Sequence, residues 1–284
     1  MEALAQELGV ANLDKSTVSR MCKSLDEHVL AFRTRKFDAA VPYVFLDATY
    51  VKVRQNHRIV SHAVFVAVGI DADGTRRILD VTVTAGESQH SWELCLRDLV
   101  ERGLHGVQMV TSDAHRGLQA AIQAVFVGSS WQRCAVHVMR NVLNHVAHRD
   151  KRTVSGACRT VLAQTTYPEA QHQFREVVLE IERRWGKKPA AVLRDAEESL
   201  FAYMAFPVEH HLRIRTTNIV ERVNREIKRR CRVVSVFPDA ESVLRLVGCA
   251  IADLDDEWSV KRGYFTKKSM DDVRAVSNQL TRRN

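Results

Sequence analysis

The order in which strand-forming and helical stretches follow one another constrains this chain most. Three runs rich in Val, Ile and aromatic residues occupy residues 41–85: YVFLDATYVKVR, RIVSHAVFVAVGID and RRILDVTVTA. Turn signals divide them, DADG at 71–74 being the clearest, so they predict three strands in hairpin succession. SQHSWELCLRDLVER, residues 88–102, has the spacing of an amphipathic helix stopped by Gly103. GVQMVTSD then predicts a short buried strand, AHRGLQAAIQAVF a helix, and SWQRCAV a fifth strand. From about His137 to Arg213 the strand signals stop, and four successive stretches have helical periodicity. A further helix is predicted over 239–258, followed by a polar, basic tail.

Three antiparallel strands followed by helix, strand, helix and strand fit an α/β fold of ribonuclease H-like type. It would have a mixed five-stranded sheet, flanking helices and an all-helical insertion. The sections are then 1–40, a helical segment; 41–136, the first part of the core; 137–213, the insertion; and 214–284, the second part with its C-terminal helices. Within 1–40 a turn at Gly9 separates two helical stretches, the second capped by Asp14 or Ser16. This pair reads equally as a helix-turn-helix for DNA and as two helices that merely pack on the core.

Charge narrows the partners. The 284 residues carry 42 Lys and Arg against 34 Asp and Glu, a net charge of +8, which favours a polyanion such as nucleic acid. The six cysteines are scattered and give no secreted disulfide framework, which points to a reducing cytoplasm. No signal peptide and no membrane-length apolar run is evident, so no membrane partner is expected.

Three carboxylates stand out against this background. Asp47 lies inside the first strand, between apolar neighbours, where Asp is disfavoured and unpaired charge is costly. Its ordinary explanation is a solvated face or a nearby Arg. Asp113 ends the fourth strand, where it would also serve as the cap of the next helix. Glu221 follows Asn218 with capping-box spacing, which by itself accounts for a carboxylate in a basic helix. In a sheet of this order the first and fourth strands are neighbours, so Asp47 and Asp113 could meet. Two such carboxylates repel unless a cation separates them, and Mg²⁺ prefers oxygen ligands. A third carboxylate would complete a two-metal site for phosphodiester chemistry. Around Glu221, Arg215, Arg222, Arg225, Lys228, Arg229 and Arg230 would hold a DNA backbone.

At these residues the sequence resembles the Mutator-type transposases of bacterial insertion sequences, from about Lys15 to Tyr264. LDATYVKVR resembles the family's first-Asp strand. SDAHRGLQAAI and WQRCAVHVMRNV resemble its signature, with Asp113, Gly117, Cys134 and His137 in register. FPVEHHLRIRTTNIVERVNREIKRRCRV resembles its Glu segment, and FPD at 237–239 and Trp258 also fit. The resemblance implies a DDE triad of Asp47, Asp113 and Glu221, which would bind two Mg²⁺ ions, with Mn²⁺ able to substitute. It implies cleavage at element ends and transfer of the freed 3′-hydroxyl to other DNA. It also implies terminal inverted repeats and target DNA as partners, a homo-oligomer on DNA, and a bacterial cytoplasmic location at the nucleoid. No covalent protein–DNA intermediate is needed, so Tyr50 and Ser112 need not be nucleophiles.

Val127 departs from the family's usual Pro or Thr, and the chain begins in what resembles the last part of the family's N-terminal segment. The alternative reading is therefore a silent, truncated transposase that binds DNA or co-assembles as a regulator. A structure-selective nuclease on the same fold is a third. Cys134 and His137 form a C-x-x-H pair, too few ligands for structural zinc, and His145, His148 and Cys158 lack the spacing to complete one. The resemblance suggests that the pair organises the core or insertion near the site. His115 could move a proton or contact phosphate, or simply begin a helix. Trp185 could stack on a base or anchor packing.

Overall fold

A computed structural model of the chain describes residues 14–261 and 263–273. Residues 1–13, and with them the first helix and Gly9 turn of the expected N-terminal pair, lie outside the described residues. Helix α1 (Lys15–Thr34) starts at Asp14, whose side chain accepts from Thr17 N at 2.7 Å.

The sheet contains β1 (Tyr43–Gln55), β2 (Arg58–Ile70), β3 (Arg76–Thr84), β4 (Met109–Ser112) and β5 (Ser130–Arg133). Their order is β3-β2-β1-β4-β5. The first three pair antiparallel, while β4 is parallel to β1 and β5 parallel to β4. This is the mixed ribonuclease H-like sheet that the element order implies. The fifth strand is shorter than SWQRCAV suggests. It ends at Arg133 because Cys134 turns the chain into helix α4 (Ala135–Leu143).

Both sheet faces are covered, which explains the continuous apolar run at the start of β1. Val44 and Leu46 face one core with Phe65 of β2. There they meet Trp92, Leu96 and Leu99 of α2 (Gln89–Glu101), and Leu118 and Ile122 of α3 (Arg116–Val125). Phe65 and Trp92 stack with ring centroids 3.7 Å apart. Tyr43 and Phe45 face the other core, which runs without a break from the sheet into the helical block. That block contains α4, α5 (Lys151–Leu162), α6 (Tyr167–Trp185), α7 (Lys187–Leu200) and α8 (Val208–Ile214). Gln132 on β5 joins sheet to block: its amide donates to Leu200 O at 2.9 Å and its carbonyl accepts from Tyr203 N at 2.9 Å. Trp185 is partly buried against this core, under Arg184, so it serves as a packing anchor.

Two long helices close the same face as the block. Helix α9 (Asn218–Val234) lies against β1 and β2 through Ile219, Val220, Val223 and Ile227. Helix α10 (Ala240–Ser259) lies along β3, where Asp255 accepts from Ile78 N at 2.6 Å. Gly74, at φ 82°, is required in the β2–β3 turn, because an added Cβ would stand 2.4 Å from Phe265 O. The C-terminal segment docks there, with Tyr264 N donating to Gly74 O at 2.7 Å. No helix among the described residues is long and apolar enough to cross a membrane.

Candidate active site

Parallel pairing brings two of the carboxylates together. Phe45 on β1 is registered with Thr111 on β4, the last pair of that ladder; Asp47 and Asp113 each follow two residues later, and the charge of Asp113 is felt at Asp47. Adjacent strands lie about 4.8 Å apart, so this is close for two negative charges. The third carboxylate comes from α9. Asn224 donates from Nδ2 to Asp47 Oδ2 at 2.8 Å, and Glu221 lies one turn earlier on the same face. Asp47 registers this arrangement. Burial pushes its pKa up to about 6; His137 opposes the shift, and the charges of Asp113 and Glu221 add to it.

Neither of the ordinary capping explanations survives. Helix α3 is capped by His115, whose Nδ1 accepts from Leu118 N at 3.3 Å, while Asp113 accepts from His115 N at 3.1 Å. Helix α9 begins at Asn218 after Thr217, with no side-chain cap, so Asn218 and Glu221 form no capping box. Glu221 instead meets Arg140 of α4 at 3.5 Å. With Thr217 bonded to Cys134 and standing at the cap, Val220 takes the third helical position and Glu221 falls one place beyond a capping box.

Cys134 and His137 sit where β5, α4 and α9 converge. Cys134 Sγ accepts from both Thr217 N and Thr217 Oγ1 at 3.3 Å, and Ala135 N donates to Arg215 O at 3.0 Å. The thiol thus replaces a side-chain cap for α9. Burial raises its pKa, but His137 and Thr217 outweigh burial and hold it below the ordinary thiol value. His137 is shifted up, first by Cys134 and then, more weakly, by Asp47. The pair therefore links the start of the Glu221 helix to the Asp47 side of the site.

Glu87, between β3 and α2, is a residue that sequence reasoning missed. Its carboxylate accepts from Tyr50 Oη at 2.5 Å and Trp92 Nε1 at 3.0 Å, and lies 3.4 Å from His115 Nδ1. The bond to Glu87 is the main cause pushing the Tyr50 phenol up to about 12. Gly117 makes this approach possible, since an added Cβ at the start of α3 would stand 2.7 Å from Gln89 N. Nothing in TAGESQH distinguishes Glu87 from a common helix-start residue. Asn224 was also missed, and its signal was the one-turn spacing from Glu221.

The basic helix divides into engaged and free cations. Arg215 donates to Leu162 O at 2.6 Å and lies over Tyr203, so it is built into the fold. Arg229 and Arg230 both bond Glu226, at 2.7 and 2.8 Å. Arg222, Arg225, Arg229 and Arg230 line a groove of about 670 Å³ whose opposite wall includes Asp253 and Glu257 of α10. Arg225, Lys228 and Arg232 are exposed and make no ion pair among the described residues.

The donor set suits a hard divalent cation: three carboxylates, plus Asn224 Oδ1, a buried oxygen with no hydrogen-bond partner. In the present arrangement, however, no three acidic, His or Cys side chains among the described residues gather closely enough to share one ion. Asn224 bonds Asp47, while Arg140 meets Glu221.

The family model described as "Transposase, Mutator family" matches residues 1–261. The chain belongs to the Mutator family of transposases. It is 41% identical over 280 residues to the transposase for insertion sequence element IS1081 of Mycobacterium tuberculosis, covering 97% of this chain and 66% of that protein. It is 40% identical to the transposase for IS406 of Burkholderia multivorans, covering 89% of this chain and 65% of the relative. For the transposase of IS256 in transposon Tn4001 of Staphylococcus aureus the figures are 34%, 90% and 66%. The chain thus spans about two thirds of the length of these relatives. Among solved structures, the Drosophila P element transposase strand transfer complex matches with a TM-score of 0.41 at 12% identity, covering 88% of this chain and 87% of that one.

Proposed function

We propose that this chain forms the catalytic core of a DNA transposase that cuts phosphodiesters at element ends and joins the freed 3′-hydroxyl to target DNA. One observation carries the reading: Asp47 feels the charges of Asp113 and Glu221 and is bonded by Asn224, one turn from Glu221, within a Mutator-family chain. Asp47, Asp113 and Glu221 would hold Mg²⁺, with Mn²⁺ as a substitute. Bound there, such ions would offset the mutual repulsion of the carboxylates and polarise the phosphate. The chain's own groups have distinct tasks. Asn224 fixes the Asp47 carboxylate, Arg140 holds Glu221, and His115 lies between Glu87 and Asp113, its ring held by Leu118 N. Arg225, Lys228 and Arg232 offer free positive charge to the phosphate backbone. Assembly as a homo-oligomer on the two element ends completes the proposal.

One observation favours a second reading, a chain that binds DNA without turnover: the three carboxylates are not gathered. Glu221→Gln separates the two. It retains size and hydrogen bonding while removing the charge. On the first reading, cleavage and strand transfer on end DNA fall by at least about a hundredfold with the melting temperature unchanged. Binding by both proteins with cutting by neither establishes the second. Cutting without any joining would instead make this chain a nuclease.

A further inference from the structure

The β1–β2 hairpin reaches well beyond the sheet. Strand β4 accompanies β1 only over 43–45, and β3 accompanies β2 only over residues 63–70. The remaining outer half, residues 51–62, is a two-stranded ribbon closed by Asn56 and His57, both in the left-handed region at φ 49° and 62°. Two positive-φ residues in a two-residue loop match the right-handed twist of a hairpin.

The ribbon is firmly held on one side. Val51 and Val53 are buried in the core that α9 shares, and the segment after α9 pairs with the strand. Arg54 N donates to Phe237 O at 2.8 Å, and Phe237 N donates to Lys52 O at 2.9 Å. The other side is bare beyond Tyr50, whose hydroxyl donates to Glu87. Tyr50, Lys52, Arg54, Ile59 and Ser61 share it, all exposed, and Arg58 and His57 are exposed at the tip. Lys52, Arg54 and Arg58 make no ion pair or side-chain hydrogen bond among the described residues, whereas Arg229 and Arg230 are both occupied by Glu226. Three unneutralised cations on a ribbon held by the core lower the entropy cost of holding a polyanion and release its counterions on contact.

We propose that this ribbon is an arm that grips the phosphate backbone of DNA running outward from the candidate active site. The inference rests on the transposase reading above and adds a surface to it. Lys52 and Arg54 alternate onto the face of β1 opposite Asp47, so the duplex reaches both across the strand edge that β4 leaves open beyond Phe45, and position along β1 sets the distance. At about 3.3 Å per residue, Lys52 is about 17 Å and Arg54 about 23 Å from Asp47. At about 3.4 Å per base pair, a duplex lying along the ribbon is held about five to seven base pairs from the reacting phosphate. The contacts are to backbone, so they are independent of base sequence.

The test compares three proteins on duplex DNA across a salt series: wild type, the arm variant Lys52→Gln/Arg54→Gln/Arg58→Gln, and the helix variant Arg225→Gln/Lys228→Gln/Arg232→Gln. Melting temperatures confirm that each is folded. The arm variant should bind at least about tenfold more weakly, with a plot of log affinity against log salt shallower by about 2–3. Backbone protection about five to seven base pairs from the cleavage point should vanish with it, whatever the base sequence there. Wild-type affinity, slope and footprint in the arm variant, alongside weakened binding by the helix variant, would overturn the arm and leave the transposase reading intact. Unchanged DNA binding with an altered oligomeric mass would also overturn it, marking the ribbon as a protein contact. No DNA binding by the wild type would overturn both.

Discussion

At the residue scale, Asp47 is a carboxylate whose charged form its buried setting disfavours. Its raised pKa means that the folded state holds the proton more tightly than the unfolded chain does. That stabilisation is full below the unfolded value near 4 and is lost as pH rises through about 6. Asp47→Asn should therefore melt higher than wild type at pH 7.5 in the absence of divalent ions, with no gain at pH 4, as thermal scans at both values would reveal. Adding Mg²⁺ should raise the wild-type melting temperature and leave Asp47→Asn unmoved; equal shifts would exclude Asp47 as a ligand. Glu87 gives a second prediction. Glu87→Ala strands the Trp92 indole N–H beside the core and frees Tyr50 and His115. A loss of about 1–3 kcal/mol in chemical denaturation is expected, and Glu87→Gln should recover part of it.

At the element scale, the start of α9 is the joint on which the site depends. The helix has no side-chain cap of its own, and the Cys134 sulfur accepts from Thr217 N–H in its place. Cys134→Val has suitable volume but no acceptor, leaving a buried N–H and hydroxyl unpaired. It should destabilise the fold by about 1–3 kcal/mol and lower kcat for cleavage more than it changes DNA affinity. Cys134→Ser, which keeps an acceptor, should restore most of both. Equal behaviour of the two variants would reduce Cys134 to packing. The strands and helices of the core were legible because each has an apolar pattern matched to its period and a turn signal at its end. The end of β5 and the cap of α9 were not, because each is decided by a partner far along the chain, and the cap of α3 was not because Asp113 and His115 both suit that place and lie only two residues apart.

For the whole molecule, one buried histidine ties three distant parts together. His210 on α8 bonds Tyr43 Oη on β1 at 2.9 Å and Ser269 Oγ in the C-terminal segment at 2.9 Å. Burial holds its pKa down at about 4, so the folded state keeps it neutral. Stability from this group is present above the unfolded value near 6.5 and lost as pH falls toward 4. The melting temperature should drop over that window, and His210→Gln should flatten the drop; an unchanged profile would place the acid sensitivity elsewhere.

The sequence alone determined the order of elements, and with it the sheet, because period and turn chemistry act within a few residues. It also singled out Asp47, Asp113 and Glu221 by residue type and motif. Only the tertiary structure decided that Asp47 lies within reach of the Asp113 charge, that Asn224 holds it, and that Arg215 belongs to the fold. It alone left Lys52, Arg54 and Arg58 bare on a ribbon. The physical reason is range: pattern and propensity are local, whereas a charge, a thiol or an amide acts through whatever folding sets against it.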